Sequence, residues 1–181
     1  MKLFAAVLPP PEAVHELARV TATLHMLPGA DTLRWTGRAG WHYTLAFMGQ
    51  VDDTLIPALE AGLAHTARHH EPFELSIAGG GFFGGKVLWA GAGGQLTAMA
   101  GLAADTRAAA QQAGIAMEEY RPYVPHLTLA TRRTATGLRR YADALAGHVS
   151  DPWTVRELVL VRSGTDPRYE VVAAWPLASG T

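Results

Sequence analysis

The stretch "HYTLAFMG", His42–Gly49, nearly recurs as "HLTLAT", His126–Thr131. Both copies run His-x-Thr-Leu-Ala, and they lie almost half the chain apart. Alternating side chains in a strand take opposite faces. By that rule His42, Thr44, Ala46 and Met48 share one face, while Tyr43, Leu45 and Phe47 take the other. In the second copy His126, Thr128, Ala130 and Arg132 share a face, with Leu127 and Leu129 behind. Each segment therefore reads as a strand with an apolar back for a core and a polar front that begins with an imidazole and a hydroxyl.

The neighbouring pattern extends this duplication. "KLFAAVL" reads as a buried first strand, and Glu12 to about His25 as a helix by its apolar spacing. "LRWT" and "HYTLAFMG" are strands around a turn at Gly37 to Gly40. Asp52 or Asp53 caps a helix reaching about His69. "FELSIAGGGFF" and "KVLWAGA" are strands. An Ala-rich helix spans about Gln95 to Ala113, and "YVPHLTLAT" is the next strand. A helix from Thr136 to about Ala146 follows. "WTVRELVLVRS" and "YEVVAAWPL" are closing strands, a hairpin around Gly164 to Pro167. After each His-containing strand comes a helix and then a strand. The expectation is one α+β unit over 1–181, an internal duplication of two similar lobes facing each other.

Composition narrows the chemistry. The 181 residues are 49% apolar and 17% charged, which fits a folded domain rather than a disordered chain. The net charge of −1 gives no global signature for duplex nucleic acid, although a local patch can still hold RNA ends. With no cysteine, disulfides, zinc–thiolate sites and thiol nucleophiles are excluded. The opening apolar run is too short for a signal-peptide core and meets three prolines, and no segment has the ~20 apolar residues of a membrane span. We expect a cytoplasmic monomer.

Two imidazoles and two hydroxyls facing one groove suit phosphodiester cleavage. One histidine takes a proton from the attacking oxygen and the other gives one to the departing oxygen. The hydroxyls of Thr44 and Thr128 donate to the non-bridging phosphate oxygens. Neither metal nor cofactor enters this scheme. Other patterns are weaker. "GGFFGGK", Gly80–Lys86, has phosphate-loop spacing, but Val87 stands where Ser or Thr is needed and a strand follows; a Gly-rich hairpin is the better reading. His65 and His69 form an i, i+4 pair without a companion ligand motif. Arg121, Arg132, Arg133, Arg139 and Arg140 gather around the second copy, as a solvated face or an RNA-backbone contact. Tyr123, Trp35 and Trp41 are candidates for stacking on bases, whereas Phe47 by parity belongs to the core.

At these residues the sequence resembles the two-histidine (2H) phosphoesterase superfamily, in its RNA 2′,3′-cyclic phosphodiesterase or 2′-5′ RNA ligase branch. The likeness includes "KLFAAVLPP", Trp35, "GFF", "KVLWAG", "RPYVPHLTLA" and "LVLVRS…Y". It implies a bilobal α+β fold, each lobe with an antiparallel sheet and outer helices and a cleft between the sheets. It also implies hydrolysis of 2′,3′-cyclic phosphate ends of RNA to 2′-phosphates, with 2′-5′ joining as a related activity. Carried over, His42 and His126 are the acid–base pair and Thr44 and Thr128 the phosphate donors. We expect His126 to activate water and His42 to protonate the leaving oxygen. The departures are Thr131 where an Arg is common, with Arg132 next to it, Val124 at an often charged place, and Trp41 before the first histidine. The rival readings are a non-catalytic RNA-end or nucleotide-binding protein using the same cleft, and a metal hydrolase centred on His65 and His69.

Overall fold

A helix leaves its first N–H groups unpaired, so proline is tolerated at its start. Pro11 occupies that place in the computed structural model, which describes residues 1–132 and 137–178. Strand β1 (Lys2–Val7) leads into α1 (Pro11–Leu24), whose buried Ala13, Leu17, Ala18, Thr21 and Leu24 trace one helical stripe. Short strand β2 (Leu33–Trp35) and β3 (Tyr43–Gln50) follow. The Asp52 carboxylate accepts the Thr54 N–H at 2.9 Å and caps a 3-10 turn, Asp53–Leu55, that opens into α2 (Ile56–Arg68). Next come β4 (Phe73–Phe83), β5 (Val87–Gly94), α3 (Leu96–Gln112), β6 (Leu127–Arg132) and α4 (Arg139–Leu145). Strands β7 (Trp153–Val155), β8 (Glu157–Ser163) and β9 (Tyr169–Pro176) complete the order. The expected helix start at Thr136, and Arg133, lie outside the described residues.

The strands form two antiparallel sheets, ordered β3-β1-β8-β9 and β2-β6-β5-β4-β7. Helices α2 and α3 pack on the first sheet, α1 and α4 on the second. One continuous cluster of buried side chains runs through both halves, from Leu3 and Tyr43 to Leu75, Leu88 and Leu129. A small second cluster, Phe4, Ala6, Val159 and Val161 with Tyr169, covers the other face of the first sheet.

Three sequence expectations change. "WTVRELVLVRS" is two strands in different sheets: β7 pairs with β4, and β8 pairs with β1 and β9. An unbroken apolar pattern does not report that the chain crosses between sheets at Arg156. "LRWT" and "HYTLAFMG" likewise join different sheets, because β2 pairs with β6 and β3 with β1. "YVPHLTLAT" is extended in pairing from Leu127 onward, since Pro122 and Pro125 keep its first part out of the ladder.

"GGFFGGK" is the β4–β5 hairpin. Gly84 and Gly85 carry φ of 55° and 64°, and the Lys86 N–H reaches the Phe83 carbonyl at 2.9 Å. Two consecutive left-handed residues suit the twist of a tight hairpin and favour glycine at both places. Gly81 is needed for a different reason. A Cβ there meets Trp89 Cζ2 at 2.5 Å, so the indole lies against bare backbone. Gly81→Ala is expected to cost about 1–3 kcal/mol by overpacking, read as a lower denaturation midpoint in urea; an unchanged midpoint would show that Trp89 moves aside freely.

Candidate active site

His42 and His126 each stand immediately before a strand, not within it. In both, the ring turns back on its own chain. His42 Nδ1 donates to the Gly40 carbonyl at 2.7 Å, and His126 Nδ1 donates to the Val124 carbonyl at 2.8 Å. A carbonyl only accepts, so Nδ1 carries the proton in each ring and Nε2 is the atom left to accept or deliver one. Both rings lean on aromatics. His42 stacks on Phe4 with centroids 4.6 Å apart and meets the edge of Tyr169 at 5.4 Å. His126 meets Phe83 edge-on at 4.9 Å, with Trp89 at 6.2 Å.

The two rings feel each other. Burial is the chief cause of a lowered His42 pKa, the Gly40 hydrogen bond partly opposes it, and the positive charge of His126 lowers it further. That repulsion acts only within electrostatic reach, so the two imidazoles share one neighbourhood. Two phenols tie the halves together there. The Tyr43 hydroxyl donates to the Gly91 carbonyl on β5 at 2.8 Å, and the Tyr123 hydroxyl donates to the Thr44 carbonyl at 2.9 Å. Burial raises the pKa of both phenols, so both remain protonated donors.

The strands carry a bulge at the same place in both copies. In β3, Ala5 faces Ala46 and Ala6 faces Thr44, so Leu45 is skipped. In β6, Leu88 faces Ala130 and Trp89 faces Thr128, so Leu129 is skipped. A skipped residue reverses the face of everything beyond it. Phe47 thus joins His42 and Thr44, while Ala46 and Met48 are buried. An open cavity of about 530 Å³ is lined by Phe4, His42, Thr44, Phe47 and Tyr169 among others. The residues of the second copy do not line this cavity; Tyr123, three residues before His126, links them to it through its bond to the Thr44 carbonyl.

The sequence model of the 2′-5′ RNA ligase superfamily matches residues 9–167. The chain belongs to that superfamily. Two relatives are named RNA 2′,3′-cyclic phosphodiesterase. That of Geobacillus stearothermophilus is 32% identical over 79% of this chain, and that of Bacillus subtilis is 31% identical over 80%. The match spans 47% of the Geobacillus protein's length and 81% of the Bacillus protein's. The crystal structure of E. coli LigT complexed with 3′-AMP is similar with a TM-score of 0.79 and 25% identity, covering 98% of each chain. These matches also support the bilobal α+β fold with two antiparallel sheets.

Within this 2′-5′ RNA ligase superfamily member, the residues singled out from sequence fall as follows. His42 and Thr44 line the cavity. His126 immediately precedes β6 and Thr128 lies within it, on the second sheet, both partly exposed. Arg132 is turned away by the bulge. It pairs with buried Leu33, and cross-strand partners share a face; its guanidinium lies near Gly85 of the β4–β5 turn. Tyr123 spends its hydroxyl on Thr44 instead of standing free as a stacking platform. Trp35 stacks on His25 at 4.1 Å and donates to the Ala30 carbonyl, while Trp41 is buried. Phe47, assigned to the core by parity, is 47% exposed on the cavity wall. His65 and His69 stack on each other at 4.1 Å; among the described residues no three His, Cys, Asp or Glu side chains gather as a metal site requires. No helix of the described residues is long and apolar enough to cross a membrane.

Phe4, Tyr169, Phe83 and Trp89 were missed as partners of the imidazoles. A signal for the Phe47 reversal was present: Leu-Ala, two adjacent apolar residues, interrupts strict alternation after the Thr in both copies.

Proposed function

We propose that this protein hydrolyses 2′,3′-cyclic phosphate ends of RNA to 2′-phosphomonoesters, using His42 and His126 as the acid–base pair. The observation that carries the reading is the matched setting of the two rings, each with Nδ1–H held by the carbonyl two residues back and Nε2 left for proton transfer. Water attacks phosphorus opposite the 3′ oxygen, and the P–O3′ bond breaks. His126, the more exposed ring, takes the proton of water. His42 gives a proton to the departing 3′ oxygen, leaving a 3′-hydroxyl and a 2′-phosphate. Its buried setting makes it the stronger acid once charged, and the anionic cyclic phosphate favours that charged form on binding. Thr44 and Thr128 donate to the non-bridging oxygens as charge shifts onto them. When a 5′-hydroxyl of RNA replaces water, the same steps give a 2′-5′ linkage, and we include this joining as the related reaction. The shared bulge and ring settings support an internal duplication.

Phe47, exposed on the cavity wall, is the surface on which the base stacks. Phe47→Ala is expected to raise KM for a cyclic nucleotide about 5- to 100-fold, in line with stacking worth ~1–3 kcal/mol, with kcat changed far less. Steady-state kinetics checks this; an unaltered KM removes Phe47 from the base site.

The direct test is incubation of the protein with adenosine 2′,3′-cyclic phosphate in chelator, followed by separation of the monophosphate isomers. Adenosine 2′-phosphate is the expected product. Tight binding of the 2′-phosphate without turnover of the cyclic form would indicate a binding protein, and turnover that requires added divalent metal would overturn the acid–base scheme.

A further inference from the structure

The cavity beside His42 continues past the residues used so far. Its remaining wall is made of Lys2, Ser163, Gly164, Thr165 and Arg168, and among the described residues no carboxylate lines it. For a chain whose net charge is −1, two cations and several hydroxyls without a counter-charge are a local concentration of anion-binding groups. Each cation lies over one of the aromatic walls. The Lys2 ammonium is 5.8 Å from the Phe47 ring, and the Arg168 guanidinium is 5.5 Å from the Tyr169 ring. Tyr169 in turn meets the His42 ring at 5.4 Å, so two short steps join guanidinium to imidazole. The turn that carries Thr165 and Arg168 is closed by the Gly164 N–H on the Arg168 carbonyl at 2.8 Å. Nearby Arg162 is neutralised by Glu170 on the adjacent strand, whereas among the described residues neither Lys2 nor Arg168 has an acidic partner.

We propose that Lys2, Ser163, Thr165 and Arg168 form a second anion seat that holds a phosphate on the 5′ oxygen of the terminal nucleoside. This rests on the cyclic-phosphate reading above and adds a substrate class: a terminal nucleotide phosphorylated at O5′ is preferred to a bare nucleoside cyclic phosphate. The phosphate is either a 5′-monoester or the diester that continues an RNA strand. Arg offers a forked donor and Lys a point charge, and hydroxyls complete the shell of a phosphate oxygen.

The test compares kcat/KM for adenosine 2′,3′-cyclic phosphate, its 5′-phosphorylated form, and the ApA dinucleotide ending in the cyclic phosphate. The wild type is expected to favour one or both phosphorylated substrates about tenfold at low salt, a value reduced from that of buried pairs because both cations are exposed. The preference is expected to fall with salt and to approach unity in the Lys2→Met, Arg168→Met double variant. A preference confined to the monoester or to the diester identifies which source the seat takes. Equal rates for all three substrates, or a preference untouched in the double variant, overturn the seat while leaving the hydrolase reading intact. If no substrate is turned over, the hydrolase reading fails. Calorimetry with adenosine 2′-phosphate against adenosine 2′,5′-bisphosphate then decides the seat alone, with about tenfold tighter binding of the bisphosphate expected and equal affinity overturning it.

Discussion

His42→Ala and His126→Ala are each expected to lower kcat on a 2′,3′-cyclic nucleotide by about 10²- to 10⁴-fold, the usual contribution of a positioned acid or base. The double variant should fall little below the worse single one, because the two rings serve one transition state and their losses do not multiply. Two further readouts separate chemistry from damage to the fold. The pH profile of kcat/KM should have an alkaline limb that sets in below the ordinary histidine value of 6.5, since burial, reinforced by His126, lowers the pKa of His42 in the free enzyme. As pH rises through that pKa, the free ring loses the proton it must give to the departing oxygen and activity is lost; in His42→Ala this limb should vanish. A substrate with sulfur in place of the 3′ oxygen has a leaving group that needs no protonation. It should restore His42→Ala and leave His126→Ala impaired. Rescue of His126→Ala instead would reverse the two roles.

Tyr43→Ala should produce the largest loss of stability, about 3–5 kcal/mol, as for other large buried aromatics. Tyr43 is fully buried in the core that spans both sheets, and its hydroxyl is the donor to the Gly91 carbonyl across them. Tyr43→Phe keeps the ring and removes the donor. It should cost about 1–3 kcal/mol, the penalty of leaving a buried carbonyl unpaired. Urea denaturation of both variants measures the difference. A loss below about 1 kcal/mol in Tyr43→Ala would show that the contact between sheets is held elsewhere.

The repeated His-x-Thr-Leu-Ala was the legible part. It located the residues placed before and within β3 and β6, and periodicity located the helices that cover them. Pairing was less legible. A strand's partner is chosen by tertiary fit, so "LRWT" and the start of "WTVRELVLVRS" went to the second sheet although each adjoins a strand of the first in sequence. The two bulges were the costliest omission for the site. Each moves one leucine out of register, and that shift exchanged Phe47 for Met48 on the cavity wall and turned Arg132 away from Thr128. The aromatic partners of the imidazoles come from β1, β9 and the β4–β5 hairpin, distances along the chain that no local pattern spans. Tyr123 stands out by its position, but the Thr44 carbonyl across the cleft, which takes its hydroxyl, is invisible in the sequence.

The apolar interior shared by both sheets bears on how such a protein can be divided. Neither His-x-Thr half of the chain completes a sheet alone, because β1 and β3 pair with β8 and β9 in one sheet and β4 and β5 with β6 and β7 in the other, over one shared core. Fragments cut near Gln95 would each expose an unfinished hydrophobic wall and regain structure only by reassembling as a complementing pair.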